Sequence, residues 1–315
     1  MKHILTPLAL TLIAAPAAAQ DKMTVMLDWF INPDHGPIIL AEENGYFTDA
    51  GLEVELISPA DPNDPPRMVA AGRVDLAVSY QPELHLAQRE GLDLRRVGTL
   101  VETPLTCLVV RADGPVKEMA DLKGRKVGFA VAGVQEMLLD AMLSHHGVTP
   151  SEVEQINIGW SISPALMSGQ VDGVIGAFRN FELNQMQIEG HEGRCFYPEA
   201  EGVPAYDELI YVAHAEDMDR EMIARFLRAT ERAAADIVND PAASGETFFA
   251  SDAELRNELN TRAWEDTWPR FATRPAAVDH GRYDRFEAFM QESGVVDTTI
   301  PAADLVVDVT AQAKP

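Results

Sequence analysis

Strand and helix signals alternate along this sequence in two successive blocks, and this alternation restricts the fold more than any other feature. Short apolar or alternating runs indicate strands, and several of the helical runs between them end at a glycine. A β-α-β rhythm of this kind predicts mostly parallel sheets with helices on their faces. The predicted strands are residues 23–27, 52–57, 74–78 and 95–100 in the first block and residues 126–130, 153–158, 171–175 and 209–213 in the second.

Two α/β blocks followed by a nearly all-helical tail predict an α/β protein of two lobes with a ligand cleft between them. A chain of 315 residues is long enough for two lobes of ordinary size. We expect the first lobe to comprise residues 20–106 and 214–315, and the second lobe residues 107–213. The runs at residues 105–110 and 209–213 are expected to join them. Two lobes of this kind close on a ligand by hinge motion.

The N-terminus has the pattern of a secretory signal peptide. A short positive stretch at residues 2–3 precedes an apolar run at residues 5–15 that is too short to span a bilayer of about 30 Å. Three alanines at residues 17–19 then offer a cleavage site. We expect residues 1–19 to be removed after Ala19 and the mature protein to be located in the periplasm. No later apolar run reaches about 18 residues, so we expect no membrane insertion.

The charge of the chain argues against polyanionic partners. The formal net charge is -25 at pH 7. A surface this acidic repels phosphate backbones and anionic membranes, so nucleic-acid binding is excluded as a leading hypothesis. The charge also keeps an exported protein in solution, which is the simpler interpretation.

The chain has two cysteines, Cys107 and Cys195. We expect two buried free thiols, although an oxidising compartment permits a disulfide and the sequence does not give the separation of the two Cα atoms. No C-x-x-C or metal-ligand spacing occurs. His145 and His146 are adjacent on a predicted helix and point in different directions, so no metal site is expected.

Three segments with an aromatic residue beside a polar one directly follow predicted strands. They are residues 27–35, 79–82 and 177–182. In an open α/β sheet, ligands bind outside the carboxyl ends of the strands. The three segments therefore predict one cleft for a flat, polar small molecule.

Several short motifs carry a family resemblance. They are Asp28-Trp29-Phe30, Asn32-Pro33-Asp34-His35, Gly45-Tyr46-Phe47, the loop at residues 59–65, Ala70-Ala71-Gly72, Ser79-Tyr80-Gln81-Pro82 and Asp121-Leu122-Lys123-Gly124. Together they closely resemble the pyrimidine-precursor family. That family includes periplasmic proteins that bind N-formyl-4-amino-5-aminomethyl-2-methylpyrimidine for thiamine-salvage ABC transporters. It also includes synthases of hydroxymethylpyrimidine phosphate.

The resemblance implies a type II periplasmic binding protein without catalysis or a cofactor, which delivers its ligand to an ABC permease and ATPase. A segment at residues 176–182 resembles the family segment whose glutamate contacts the aminopyrimidine, which assigns that role to Glu182. The synthases have no export signal and use an iron-binding cysteine run and pyridoxal phosphate on a lysine. This chain has an export signal and two cysteines, so the synthase is the less favoured hypothesis.

The chemistry of an aminopyrimidine selects the candidate ligand-binding residues. Its flat ring needs an aromatic face, for which Trp29 and Tyr80 are candidates. Its amino group needs a carboxylate, which Glu182 supplies. The full set of candidates is Trp29, Asn32, His35, Tyr80, Gln81, His85, Phe178, Asn180, Glu182 and Tyr206.

Each candidate also has a structural interpretation. Trp29 can be a core residue, Asn32 can form a turn around Pro33, and His85 can be a surface residue of a helix. Tyr206 either lines the cleft or turns the chain before the next strand. These alternatives stay open at the level of sequence.

The same fold with another ligand is the main competing hypothesis, with a sulfonate, a flavin or another vitamin precursor as candidates. An anion site needs Arg, Lys or a helix N-terminus. Residues 28–37 and 79–85 contain no Lys or Arg, and Arg179 is the only one in the third segment. This composition disfavours a sulfonate.

Overall fold

The computed structural model describes residues 19–311, which form two β-sheets flanked by helices. In chain order, the strands are β1 (Asp21–Met26), β2 (Leu52–Ile57), β3 (Leu76–Ser79), β4 (Leu94–Val101), β5 (Thr106–Arg111), β6 (Lys126–Phe129), β7 (Glu154–Asn157), β8 (Gly173–Phe178), β9 (Gly193–Phe196) and β10 (Leu209–His214). The α-helices are α1 (Gly36–Glu43), α2 (Tyr46–Asp49), α3 (Pro65–Ala70), α4 (Gln81–Arg89), α5 (Val134–His145), α6 (Ile162–Met167), α7 (Glu182–Ile188), α8 (Arg220–Asn239), α9 (Pro241–Ser251), α10 (Glu258–Thr267) and α11 (His280–Glu292).

Each sheet has five strands, and each contains one reversed strand. The first has the order β2-β1-β3-β10-β4, in which β10 is antiparallel to both of its neighbours. The second has the order β7-β6-β8-β5-β9, in which β5 is antiparallel to both of its neighbours. We call the parts of the molecule built on these sheets the first lobe and the second lobe.

The chain passes between the lobes twice, and a buried glutamate holds the two passages together. The passages lie between β4 and β5 and between β9 and β10. Glu208, just before β10, accepts hydrogen bonds from the backbone N of Leu105 at 2.5 Å and of Thr106 at 2.8 Å. The Thr106 hydroxyl donates a third, also at 2.8 Å. Burial raises the pKa of Glu208 to about 7. The exact lobe boundaries stay a prediction.

All eight predicted strands are present, and the differences in detail have local causes. Prediction missed β9, because its four residues include Gly193 and Arg194 and show no apolar pattern. The helical tail predicted after the strand at residues 209–213 begins only at Arg220. Its true start is set by Asp219, whose side chain accepts hydrogen bonds from the backbone N of Glu221 and of Met222, a normal N-cap arrangement.

The expectation of two free thiols is wrong, since the structure joins Cys107 and Cys195 in a disulfide. Cys107 lies on β5 and Cys195 on its neighbour β9, and their Cα atoms are 5.6 Å apart, within the normal disulfide range. Sequence reasoning missed this pair because it did not include β9.

Two expectations concern export of the protein and its insertion into a membrane. The predicted signal peptide at residues 1–19 lies outside the described residues except for its last position. Within residues 19–311, the structure contains no helix that is both long and apolar enough to cross a membrane.

Candidate ligand-binding site

A cavity lies between the two lobes, where the loops after β1, β3 and β8 meet α5 and α6. It encloses about 400 Å³ of empty space, including space open to solvent at its mouth. None of the described residues that line it is Lys or Arg. They are Asp28, Trp29, Asn32, Asp34, Tyr80, Gln135, Ile162, Gly176, Phe178, Phe181 and Glu182.

Asp28 lies at the carboxyl end of β1, and both of its carboxylate oxygens are held by buried side chains. The Tyr80 hydroxyl donates to Asp28 Oδ2 at 2.9 Å. His35 Nε2 lies 3.0 Å from Asp28 Oδ1. The backbone N–H of Asn32 points at His35 Nδ1 at 3.3 Å, so Nδ1 is the acceptor and Nε2 carries the proton given to Asp28. This network fixes the Tyr80 ring against the cavity.

Glu182 stands at the first position of α7, with one carboxylate oxygen engaged and the other free. Glu182 Oε2 accepts a hydrogen bond from the backbone N of Phe178 at 2.6 Å. No other described residue donates a hydrogen bond to Oε1, and Glu182 lines the cavity. Burial, together with the nearby charge of Asp34, raises the pKa of Glu182 to about 8. A ligand that donates a hydrogen bond would give this oxygen a partner.

Asp34 is a second buried carboxylate on the cavity wall. Its Oδ1 accepts from Asn180 Nδ2 at 2.6 Å and from the Thr267 hydroxyl at 3.1 Å. Burial raises the pKa of Asp34 to about 6, and the charge of Asp28 acts in the same direction. Since Asn180 follows β8 in the second lobe and Asp34 follows β1 in the first, the Asp34–Asn180 bond crosses the cleft.

The floor of the cavity depends on a glycine. Gly176 in β8 has φ +87°, a left-handed conformation at the point where the pairing of β8 with β5 shifts register. A Cβ built there would lie 2.1 Å from Gln135 Nε2, so a side chain does not fit. Gln135 Oε1 accepts from the backbone N of Ala130 at 2.8 Å and of Val131 at 3.1 Å. Its amide N–H groups therefore face the cavity as donors.

Aromatic rings from both lobes meet at the edge of the cavity. The ring centroids of Trp29 and Trp160 are 4.3 Å apart, and those of Phe30 and Trp160 are 4.6 Å apart. Trp29 and Phe30 follow β1, whereas Trp160 follows β7. Trp29 also packs on the apolar core of the second lobe. The contact between these rings closes the cleft on one side.

The structure brings half of the sequence-predicted residues to the cavity wall. The five that line it are Trp29, Asn32, Tyr80, Phe178 and Glu182. The five that lie behind the wall are His35, Gln81, His85, Asn180 and Tyr206. His35 and Asn180 support the wall through Asp28 and Asp34, as described above. Tyr206 borders a smaller neighbouring cavity together with Tyr80 and Gln135.

His85 and Gln81 belong to a separate buried network behind the wall. His85 Nδ1 donates to Glu287 Oε1 at 2.6 Å, and its Nε2 lies 3.3 Å from Gln81 Nε2. Gln81 Oε1 accepts from the backbone N of Asp207 at 2.8 Å. The structure gives His85 no access to the cavity, so its contact with a ligand stays a prediction that the geometry does not favour.

Sequence reasoning missed three polar residues on the wall, which are Asp28, Asp34 and Gln135. Asp28 and Asp34 were not among the candidates, although both lie in one of the three segments that follow strands. Gln135 follows no aromatic motif, and only its approach to Gly176 reveals its place. Trp160 was missed as well, because its contact with Trp29 depends on how the lobes meet.

The described residues also bear on metal and cofactor binding. Among residues 19–311, no group of three or more His, Cys, Asp and Glu side chains is placed to hold a metal ion. The described cavity lining includes no lysine, so the residues present do not fit attachment of pyridoxal phosphate through a lysine.

Comparison with known proteins places these features in a family. The model of the family described as NMT1/THI5 like matches residues 32–244. A thiamine biosynthesis protein of Haemophilus influenzae is 45% identical over 299 residues, which are 95% of each chain. The chain belongs to the NMT1/THI5-like family.

A second relative carries a ligand in its name. A formylaminopyrimidine-binding protein of Halalkalibacterium halodurans is 34% identical over 230 residues, 72% of this chain and 70% of that protein. More distant members of the NMT1/THI5-like family are named as 4-amino-5-hydroxymethyl-2-methylpyrimidine phosphate synthases.

Solved structures show the fold class. The periplasmic aliphatic sulphonate binding protein SsuA of Escherichia coli aligns over 93% of this chain and 94% of its own, with a TM-score of 0.72 and 16% identity. The predicted α/β fold, that of the periplasmic binding proteins with two lobes and a central cleft, is therefore confirmed.

Proposed function

We propose that this protein is the periplasmic solute-binding protein of an ABC importer and captures a thiamine pyrimidine precursor, formylaminopyrimidine. Its partners are the permease and ATPase subunits of that importer, and the predicted signal peptide delivers it to the periplasm. The family, the periplasmic binding protein fold and the 34% identical formylaminopyrimidine-binding relative support this proposal.

The observation that carries the proposal is the unpaired oxygen of Glu182 in a cavity walled by aromatic rings. An aminopyrimidine presents a flat face to Trp29 and N–H donors to Glu182. The Gln135 amide N–H groups can serve the ring nitrogens or the formyl oxygen. An alkanesulfonate would instead place negative charge beside buried carboxylates with no Lys or Arg in the described lining.

Calorimetric titration of the mature protein tests the ligand directly. We expect formylaminopyrimidine to bind at one site per protein and an alkanesulfonate and riboflavin to give no heat of binding. Binding of the sulfonate without binding of the pyrimidine would refute the ligand assignment.

We also propose that the protein binds without catalysis. Incubation with the pyrimidine, iron and pyridoxal phosphate should return the pyrimidine unchanged by mass spectrometry. Formation of hydroxymethylpyrimidine phosphate would favour the synthase hypothesis instead.

A further inference from the structure

Two half-paired carboxylates face the same cavity from opposite lobes. Asp34 lies just after β1 of the first lobe, and Glu182 begins α7 just after β8 of the second lobe. In each, the described hydrogen bonds reach only one oxygen, Oδ1 of Asp34 and Oε2 of Glu182. Both side chains line the cavity, which is where their second oxygens find space.

We propose that Asp34 is a second ligand-contacting carboxylate, which pairs with Glu182 across the cleft to bind two N–H donors of one ligand. This inference rests on the proposed function and makes Asp34 a determinant of its specificity. The 4-amino group of an aminopyrimidine carries two N–H bonds, so one group can bridge both lobes.

Closure of the cleft should depend on a ligand that donates hydrogen bonds to both carboxylates. Like charges brought together in a buried site repel one another, and the charge of Asp34 already opposes ionisation of Glu182. Hydrogen-bond donors between the two carboxylates remove that cost, whereas an acceptor adds to it. A closed cleft without such a ligand keeps two carboxylate oxygens unsatisfied.

The same geometry predicts which close analogue the site rejects. Above about pH 8, where both carboxyl groups are ionised, the carbonyl oxygen of the 4-oxo isostere of formylaminopyrimidine, which has nearly the same shape, would face two carboxylates. Sites built around a ligand N–H discriminate strongly against analogues that lack it, because buried polar groups are left unpaired. The wild-type protein should therefore bind the amino compound and reject the oxo compound.

The inner hydrogen bonds of Asp34 supply a matched control. Thr267 donates to Asp34 Oδ1 and lies 2.6 Å from the carbonyl oxygen of Ala263, but Thr267 does not line the cavity. Thr267→Val removes this support and leaves the cavity-facing oxygen of Asp34 in place. Asp34→Asn keeps an acceptor for Asn180 and Thr267 while it removes the charge.

The test compares the affinities for the amino and oxo ligands in the wild type, Asp34→Asn and Thr267→Val by calorimetry above pH 8, where Glu182 is ionised. We expect Asp34→Asn to lose about 10- to 150-fold in affinity for the amino ligand, the effect of one hydrogen bond to a charged group. It should also gain measurable affinity for the oxo ligand, because its new N–H₂ can donate. Thr267→Val should lower the melting temperature and keep the preference of the wild type for the amino ligand over the oxo ligand.

Two outcomes would overturn the inference, and they are distinguishable. If the wild type binds the amino ligand and Asp34→Asn keeps both its affinity and its preference, the inference fails and the proposed function stands. If the wild type binds neither ligand, both fail. Asp34→Ser, which also removes the carboxylate, gives the same test if Asp34→Asn does not fold.

Discussion

The part of the chain that the structure describes contains two buried histidine–carboxylate pairs, and they have different surroundings. His35 pairs with Asp28 beside the cavity, and His85 pairs with Glu287 behind it. Both histidines are 0% exposed. By sequence alone, both histidines were candidates for ligand contact, since each lies close to an aromatic–polar segment.

Glu287 has more hydrogen-bond donors around it than the carboxylates on the cavity wall have. Glu287 accepts bonds from His85, from Arg89 Nη1 and Nη2 at 3.0 and 2.6 Å, and from the backbone N of Ile300 at 2.8 Å. Burial alone would raise its pKa, but the bonds from His85 and Arg89 lower it to about 2. None of the described residues that line the cavity is an arginine, and Asp34 and Glu182 there have raised pKa values. Glu287, with donors to both of its oxygens, supports the fold, whereas Asp34 and Glu182 beside the cavity each keep one oxygen that is available to a ligand.

Removing Glu287 should have the largest effect, and that effect should be on stability. Glu287→Ala leaves the buried His85 and the Arg89 guanidinium without their partner, and breaking a buried pair costs about 3–5 kcal/mol of unfolding free energy. Urea unfolding measures this loss, with the exposed Glu292 of the same helix as a control in Glu292→Ala. Equal stability of the two variants would show that the His85 network is dispensable.

Removing Trp29 should have the next largest effect, and that effect should be on binding. Trp29→Ala should weaken formylaminopyrimidine binding by about 1–3 kcal/mol, the usual range for stacking of a base on an aromatic ring. Trp160→Ala removes only the ring that contacts Trp29 across the cleft. The loss of this aromatic pair should weaken ligand binding by about 0.5–1.5 kcal/mol. Calorimetric titration of both variants with formylaminopyrimidine checks that Trp29→Ala loses more affinity than Trp160→Ala. A Trp29→Ala protein with lower melting temperature and unchanged affinity would instead make Trp29 a core residue.

The pH dependence of stability separates Glu287 from the cavity carboxylates Asp34 and Glu182, with a smaller effect. The raised pKa values of Asp34, about 6, and Glu182, about 8, mean that the folded state holds more protons than the unfolded state between about pH 4 and 8. The free energy of unfolding should fall as pH rises through this window, by at most about 1.4 kcal/mol per pH unit for each group. Glu287, with its lowered pKa, acts oppositely and loses its contribution as pH falls from about 4.5 towards 2.

Urea unfolding of the ligand-free wild type and of Glu182→Gln across this range measures the effect. The fall should be smaller in Glu182→Gln, while Glu83 and Glu208, whose pKa values burial raises to about 7, continue to contribute. An identical fall in both proteins would show that Glu182 does not titrate in this window.

The sequence predicts the parts of the molecule that depend on local pattern. Apolar runs located the eight predicted strands, and the positions of Trp29, Tyr80 and Glu182 after strands placed them at the cavity. The carboxyl ends of parallel strands meet at one edge of a sheet, which brings these segments together, and contact of the three residues with a ligand stays a prediction.

The rest depends on contacts between distant segments. The disulfide required β9, whose residues show no apolar pattern, and Gln135 reaches the cavity only because Gly176 has no side chain. His85 looked like a site residue until Glu287, some 200 residues later in the chain, was found beside it. Local pattern gives no information on such pairings.

The central claim is that Glu182 is kept incompletely paired for a ligand, and a paired titration tests it most directly. Glu83 is a matched control, since it is also a glutamate in the first turn of a helix, its pKa is raised by burial, and it accepts a bond from the Ser79 hydroxyl at 2.7 Å. Unlike Glu182, it does not line the cavity. Formylaminopyrimidine is titrated into Glu182→Gln and Glu83→Gln by calorimetry. We predict that Glu182→Gln loses about 10- to 150-fold in affinity and that Glu83→Gln binds like the wild type. Equal affinities in the two variants would contradict the account.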